Sequence, residues 1–276
     1  MISKPGIFDD VGEAVYHGDR YLTTELGRSL SVSGAKTLLK SPALFAYQRD
    51  NRPPPKDVFD FGHVAHKYVL GVGDEIVRVE ADDWRTKDAR TAREEARAAG
   101  QIPILAADDD RAHAMAAAVT AHPVASRLFS DGAAEQSAYW IDEQTGITRR
   151  ARFDWLRTNS IIDLKSAADA SPDGFARAAA NFGYGMQAVW YQDATEALLG
   201  RRLRFVFVCV EKEPPHQIGL YVISPAWEDL AHAQNRRAIT TFAACESSGH
   251  WPSYSPRIET LEPPRWLTYA EQDLAS

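Results

Sequence analysis

The sequence predicts an α/β fold, bordering on α+β: a mixed central β-sheet flanked by helices, with a helical N-terminal elaboration. Three observations predict it. Helical periodicity dominates up to Gly132 and gives way to alternation after it. A pair of helical segments then separates three strand-like runs from two more. A long helix closes the series, and this order of elements suits a sheet covered by helices.

The elements follow in order. Residues 1–30 carry turn signals at Gly12 and His17-Gly18-Asp19 and read as irregular. A helix then begins with Ser33 as its N-cap and Leu38, Leu39, Leu44 and Phe45 as apolar positions, and Pro42 kinks or splits it. Arg52-Pro53-Pro54-Pro55 is a rigid connector. A second helix runs from about Asp57 to Leu70 and stops at Gly71. Trp84–Ala99 and the Ala-rich Asp108–Phe129 are helical, with a linker or short strand over Gly100–Ala106. Gln136–Ile141, Ile147–Arg157 and Ile161–Lys165, separated by turns at Asp142–Gly146 and Thr158–Ser160, form a β-meander. Helices over Pro172–Asn181 and Tyr184–Leu199 follow, then strands over Leu203–Glu211 and Gln217–Ile223 and a helix over Pro225–Ser248. No internal boundary stands out, so residues 1–276 read as one domain, with a Pro-rich tail over 251–276.

Composition narrows the function classes. The chain has 276 residues, 45% hydrophobic, a net charge of −7 and a pI near 5.6. That balance excludes a uniformly basic nucleic-acid coat but not a local basic groove. The two cysteines, Cys209 and Cys245, form no zinc-type spacing, and their scarcity fits a reducing compartment. The first ten residues hold no apolar run and no stretch has the length of a membrane span, so the expectation is a cytoplasmic protein without signal peptide or membrane contact.

The chemistry-bearing residues cluster around the meander. In Ile161-Ile162-Asp163-Leu164-Lys165, alternation puts Asp163 and Lys165 on one face and Ile162 and Leu164 on the other. Alone, such a pair reads equally as an ion pair at a strand end. In Arg150-Ala151-Arg152-Phe153-Asp154-Trp155, the same rule groups Arg150, Arg152 and Asp154 opposite Ala151, Phe153 and Trp155. The short turn between these strands brings Asp154 near Asp163. Two such carboxylates repel unless a cation lies between them, and oxygen ligands suit Mg²⁺. Lys165 beside them can orient a water or stabilise phosphate charge, and Arg150 and Arg152 suit phosphate contact. On the second helix, Gly62 and His66 share a face; the glycine allows close backbone approach and His66 is a further metal ligand or a structural histidine, with His63 as competitor. Gln187 and Tyr191, one turn apart, form a polar stripe that can bond a phosphate or base edge, or simply mark a helix rim.

Asp154, eight residues, then Asp163-Leu164-Lys165 resembles the signature of PD-(D/E)XK nucleases. Gly62-x-x-x-His66 and Gln187-x-x-x-Tyr191 are similar to the additional motifs of its RecB-like branch. Ser137-Ala138-Tyr139-Trp140 and Tyr184-Gly185-Met186-Gln187-Ala188-Val189-Trp190-Tyr191 bring the likeness closer to the nuclease domain of RecE-type exonucleases, over about residues 28–225. Phe153 stands where the family usually has proline, a position that binds no metal. The resemblance implies Mg²⁺, with Mn²⁺ as substitute, held by His66, Asp154, Asp163 and the Leu164 carbonyl. It implies Lys165 as the residue that positions the attacking water, with Gln187 and Tyr191 shaping the site. Ser31, Ser33 and Lys36 would contact a terminal phosphate, and Glu135 would be an outer acid or an exposed strand residue. It further implies a 5′-to-3′ exonuclease on linear duplex DNA, ring-type trimers or tetramers, and a single-strand annealing protein as partner in phage-type recombination.

Overall fold

The computed structural model describes residues 2–9, 11–16, 26–51, 57–255 and 257–263. Among them a seven-stranded mixed sheet forms the centre. Its main path runs β1 (Gly6–Phe8), β5 (Ala133–Ile141), β6 (Thr148–Leu156), β7 (Ser160–Ala167), β8 (Arg204–Glu211) and β9 (Ile218–Tyr221). β7 and β8 are parallel, and the other neighbours on this path are antiparallel. The parallel pair requires a crossover, supplied by α8 (Pro172–Phe182) and α9 (Tyr184–Leu199).

The two sheet faces carry separate cores, and strand alternation sorts residues between them. Ile161, Phe205, Phe207 and Cys209 face α9 and its neighbours α2 (Val32–Lys40), α8 and α10 (Pro225–Ser248). Ile162, Leu164, Val208 and Val210 face α4 (Asp57–Leu70) and α6 (Ala106–Ala121). Burial of both faces explains why β8 reads as a continuous apolar run over Phe205–Val210. The helix signals on the first face are strong. Ser171 and Ser224 cap α8 and α10 ahead of Pro172 and Pro225, while Gly183 and Gly200 turn left-handed at the ends of α8 and α9. Beyond α10, Trp251 stacks on Phe45 of α3 (Pro42–Asp50), and Pro252 accepts from the Ala43 backbone.

Several expectations need correction. Residues 1–30 are not simply irregular: they supply β1, α1 (Glu13–Tyr16) and β2 (Ser29–Ser31), with β2 parallel to β6. The cap of α2 is Ser31 rather than Ser33: its Oγ accepts from Gly34 N at 3.1 Å because the chain leaves β2 in extended form at that residue. The split expected near Pro42 is real, with Ser41 capping α3. The Ala-rich helix ends at Ala121, where His122-Pro123 interrupts it before the short α7 (Ala125–Leu128). The charged helix is confined to α5 (Lys87–Ala98), capped by Thr86. β4 (Ile102–Leu105) pairs with an unforeseen β3 (Ile76–Val79) in a small parallel sheet. The turn at 17–19 and the connector at 52–55 lie outside the described residues.

One topological detail positions everything that follows. β5 occupies one edge of β6 from end to end, so β2 and β7 must share the other. β2 takes Thr148–Arg150 and β7 takes Trp155 and Leu156. Between them the backbone of 151–154 has no strand partner on that edge.

Candidate active site

The gap in the β6 edge is where the acidic residues meet. The β6–β7 ladder ends at Trp155–Ile162, and the next opposed residues, Asp154 and Asp163, are no longer paired. Asp154 replaces the missing ladder bond with its side chain: Oδ2 accepts from Leu164 N at 2.9 Å. On the next turn of contact, His66 Nε2 lies 3.0 Å from the Leu164 carbonyl, so α4 is bonded to the same residue of β7. That contact makes Nε2 the protonated nitrogen. Nδ1 then presents a lone pair to Asp154 Oδ2, 3.7 Å away. Burial first, and the Lys165 charge second, push the His66 pKa down to about 4, so the ring is neutral near pH 7.

Asp163 points to the other side of β7, as alternation requires. Its side chain is 1% exposed. Gln187 Nε2 on α9 donates to Oδ1 at 2.6 Å. Lys165 Nζ sits 2.5 Å from Oδ2 in a close ion pair. Burial pushes the pKa of both Asp154 and Asp163 up to about 6, against the pull of Lys165. For Lys165 burial disfavours the charge, but the two carboxylates outweigh it and raise the pKa. Tyr191 packs edge-on against Phe153 and Phe205.

The remaining sequence candidates divide into two groups. Arg152, Glu135 and His63 line, with His66 and with Asp74, not among those candidates, a cleft of about 340 Å³ on the α4 side. Arg152 bonds Ser137 Oγ and the Val11 carbonyl and stacks on Tyr16, so part of its donor capacity is spent on structure. Arg150 is held by Ser29, through its carbonyl and its hydroxyl, on the far side of β2. Ser31 is occupied as a cap, and Ser33 is exposed and bonds Thr37 through its carbonyl. Lys36 comes close to the centre: its Nζ is 5.8 Å from the Tyr184 ring, whose other neighbour, Lys165 Nζ, is 5.1 Å away. Burial, then the Lys165 charge, lowers the Lys36 pKa to about 8.

Two local readings are overturned. Trp155 does not share a face with Ala151 and Phe153: it packs on Phe129 in the α4–α6 core, whereas they lie in the other. The cause lies on β5. Glu135, opposite Asp154, adopts φ 47°, and the bonded pairs resume on either side, at Ala134–Trp155 and Gln136–Phe153. A side-chain-bearing residue in that region strains the backbone, and its position beside the site is where such strain concentrates. The second concerns Gly62, where a Cβ would meet nothing within 4 Å, so no close backbone approach requires the glycine. Tyr184 is the one residue near the centre to which the sequence assigned no role; its position at the first turn of α9 was visible, but its two lysine neighbours were not.

A divalent ion fits this donor set. Carboxylates, a carbonyl and an imidazole lone pair suit a hard cation, and His66 Nδ1 meets only a carboxylate oxygen, 3.7 Å away. The side chains are not a preformed cage: among the described residues no group of three or more His, Cys, Asp or Glu is spaced to hold a metal ion. Asp154 leans to the α4 side and Asp163 to the α9 side, with Leu164 between them. No helix among the described residues is long and apolar enough to cross a membrane.

The profile of the PDDEXK-like domain of unknown function (DUF3799) matches residues 31–264. No curated protein sequence matches the chain. Among solved structures, a crystal structure described as a "Putative exonuclease" from Eubacterium rectale superposes with a TM-score of 0.64 at 14% identity, covering 95% of this chain and 99% of that one. At that identity the likeness concerns the fold. A second structure, of SSO0001, covers 66% of this chain and 85% of that one at 15% identity, and its TM-score of 0.29 supports no argument.

Proposed function

From the membership of this chain in the PDDEXK-like family over residues 31–264, we propose that it is a Mg²⁺-dependent DNA exonuclease acting on linear duplex ends, with Mn²⁺ able to substitute. The observation that carries the reading is buried Asp163 with half-buried Asp154 and Lys165 around Leu164, at the point where β6 and β7 stop pairing. A surface ion pair has no reason to be buried or to hold two carboxylates with raised pKa values.

His66, Asp154, Asp163 and the Leu164 carbonyl would hold the ion. When bound, it supplies a Lewis acid for the phosphodiester and lowers the pKa of a water. The residues of the chain do the rest. Gln187 fixes Asp163 through the 2.6 Å hydrogen bond, and Tyr191, one turn on and packed against Phe153, shapes the site beside it. Lys165 holds a positive charge where negative charge grows on the phosphate, and its ammonium can orient the water for in-line attack. The new bond joins water oxygen to phosphorus, the P–O3′ bond breaks, and the leaving 3′ oxygen takes a proton, leaving a 5′-phosphate on the product. Digestion from the 5′ end, assembly into rings and work beside a single-strand annealing protein belong to the same reading through the RecE-like motif set.

The test is digestion of linear and covalently closed circular duplex of one sequence, with Mg²⁺ and with EDTA. Mg²⁺-dependent loss of the linear form alone is expected. Equal cleavage of the closed circle would make the protein an endonuclease, and loss in EDTA would remove the metal from the account. Substrates labelled at either end read the direction.

A further inference from the structure

On the α9 side of the sheet, a groove of about 730 Å³ opens between α2, the α8–α9 junction and α10. Among the described residues three cations line it, Lys36, Lys40 and Arg237, and no acidic residue does. This is unusual in a chain with a net charge of −7, where many arginines are tied to carboxylates, as Arg49, Arg78, Arg149, Arg202 and Arg236 are. Two aromatic side chains complete the lining: Phe182, 63% exposed at the end of α8, and Trp227 on α10. Two glycines allow this close arrangement. A Cβ at Gly183 would come within 3.2 Å of the Lys36 stem, and one at Gly185 within 2.5 Å of the Trp227 indole. The groove lies beside the acidic centre: Lys36 in its lining and Lys165 are 5.8 Å and 5.1 Å from the same Tyr184 ring.

Three cations beside an exposed Phe182, stacked on Tyr184 and open on its other side, and a half-buried Trp227 edge match the chemistry of a single strand: phosphates for the charges and base faces for the rings. A duplex buries its base faces and leaves Phe182 and Trp227 without a partner. We propose that this groove binds a single-stranded segment of the nucleic-acid substrate, with phosphates along Lys36, Lys40 and Arg237 and bases stacked on Phe182 and Trp227. The assignment rests on the nuclease reading for the identity of the strand, and it gives the site a second, non-catalytic arm that holds the strand running to or from Lys165.

Binding tests it without cleavage. Full-length protein carrying Asp163→Asn, in EDTA, is titrated against a fluorescein-labelled oligothymidylate of about 20 nucleotides, long enough to exceed the site of a single-strand groove, and anisotropy is followed over a series of salt concentrations. Adding Lys40→Glu with Arg237→Glu should weaken binding at least tenfold. It should also flatten the dependence of log K on log salt by about 1.4, at about 0.7 for each of two lost phosphate contacts. Phe182→Ala should weaken binding about fivefold, as expected for one lost stacked base, and leave the slope unchanged. The charge-matched control Lys87→Glu with Arg90→Glu, on exposed α5 positions, should bind as the parent does.

Three results would overturn the groove: unchanged binding by the double variant, an equal loss in the control, or a blunt duplex of the same length that binds as tightly and loses as much. If wild-type protein degrades DNA while the groove variants bind normally, only the groove is wrong. If the double variant loses the oligonucleotide but wild-type protein cleaves no nucleic acid with Mg²⁺, the nuclease reading fails and the groove stands.

Discussion

Lys165→Ala separates a site built for chemistry from one built for stability. The substitution removes the cation 2.5 Å from Asp163, which is 1% exposed. Breaking a buried ion pair usually costs about 3–5 kcal/mol, because the surviving charge is stranded. Here that cost has a low ceiling. With its pKa pushed up to about 6, Asp163 already costs the fold about 3 kcal/mol at pH 7, from about 1.4 kcal/mol for each pKa unit above the ordinary carboxylate value. A fully protonated Asp163 would cost about 4 kcal/mol at that pH, so losing Lys165 adds at most about 1 kcal/mol there, and about as much again at Asp154, whose charge Lys165 also favours. For a chain of this size that is a fall in Tm of at most about 8 °C. Catalysis should fall far more, by about a thousandfold or about 4 kcal/mol, as when a single preorganised stabiliser of developing charge is removed. The assay is scanning calorimetry on wild type and variant beside single-turnover digestion of end-labelled linear DNA with Mg²⁺. Activity within tenfold of wild type, or a Tm lower by more than about 10 °C, would show that Lys165 holds the fold rather than the reaction.

Gln187→Leu should weaken Mn²⁺ binding by about tenfold in a calorimetric titration, since it frees Asp163 Oδ1 while keeping the helix face filled; unchanged affinity would detach Gln187 from the site. Asp142, 5% exposed, is bound twice by Arg236 at 2.9 Å and faces buried Arg149. Burial opposes its charge, but Arg236 and Thr145 prevail and hold the carboxyl below its usual range. Such a group contributes stability in full above the unfolded carboxylate value near 4, and that contribution is lost as pH falls through the lower folded value. Asp142→Ala should therefore cost about 2 kcal/mol at pH 7, less than a fully buried pair because Arg236 can regain water, and the cost should shrink in denaturant melts below about pH 3; a pH-independent cost would contradict the ion-pair account. Burial pushes the Cys209 thiol up to about 12, so a disulfide reagent at pH 8 should label it only after unfolding; rapid labelling of the native protein at Cys209 would show that β8 is not packed as described.

Legibility in the sequence followed the length and punctuation of each element. α8 and α10 carry serine caps and proline at the first turn, and α8, α9 and α10 all end on glycine, so their limits could be read almost to the residue. β7 and β8 are long enough for apolar content to declare them. β1, β2 and β3, of three or four residues each, are too short to show a period; their pairing with distant strands makes them strands. At the site, the spacing of Asp154, Asp163 and Lys165 and the adjacency of β6 and β7 were both readable. That Asp154 turns to Leu164 N, while Asp163 turns to Gln187, was not, because it depends on β2 and β7 sharing one edge of β6. The same holds for Trp155, whose face is set by the left-handed backbone of Glu135 on another strand. Lys36, Lys40 and Arg237 could not be grouped from sequence at all, since the packing of α2 against α10 brings them together.

The central claim is a divalent ion held at the gap between β6 and β7. The most direct measurement is anomalous diffraction from crystals of the protein soaked in Mn²⁺. The account predicts a single strong peak, or a close pair, within bonding distance of Asp154, Asp163 and the Leu164 carbonyl, and its loss in Asp163→Asn crystals. Manganese bound elsewhere, with none at these oxygens in a preparation that degrades DNA, would contradict it.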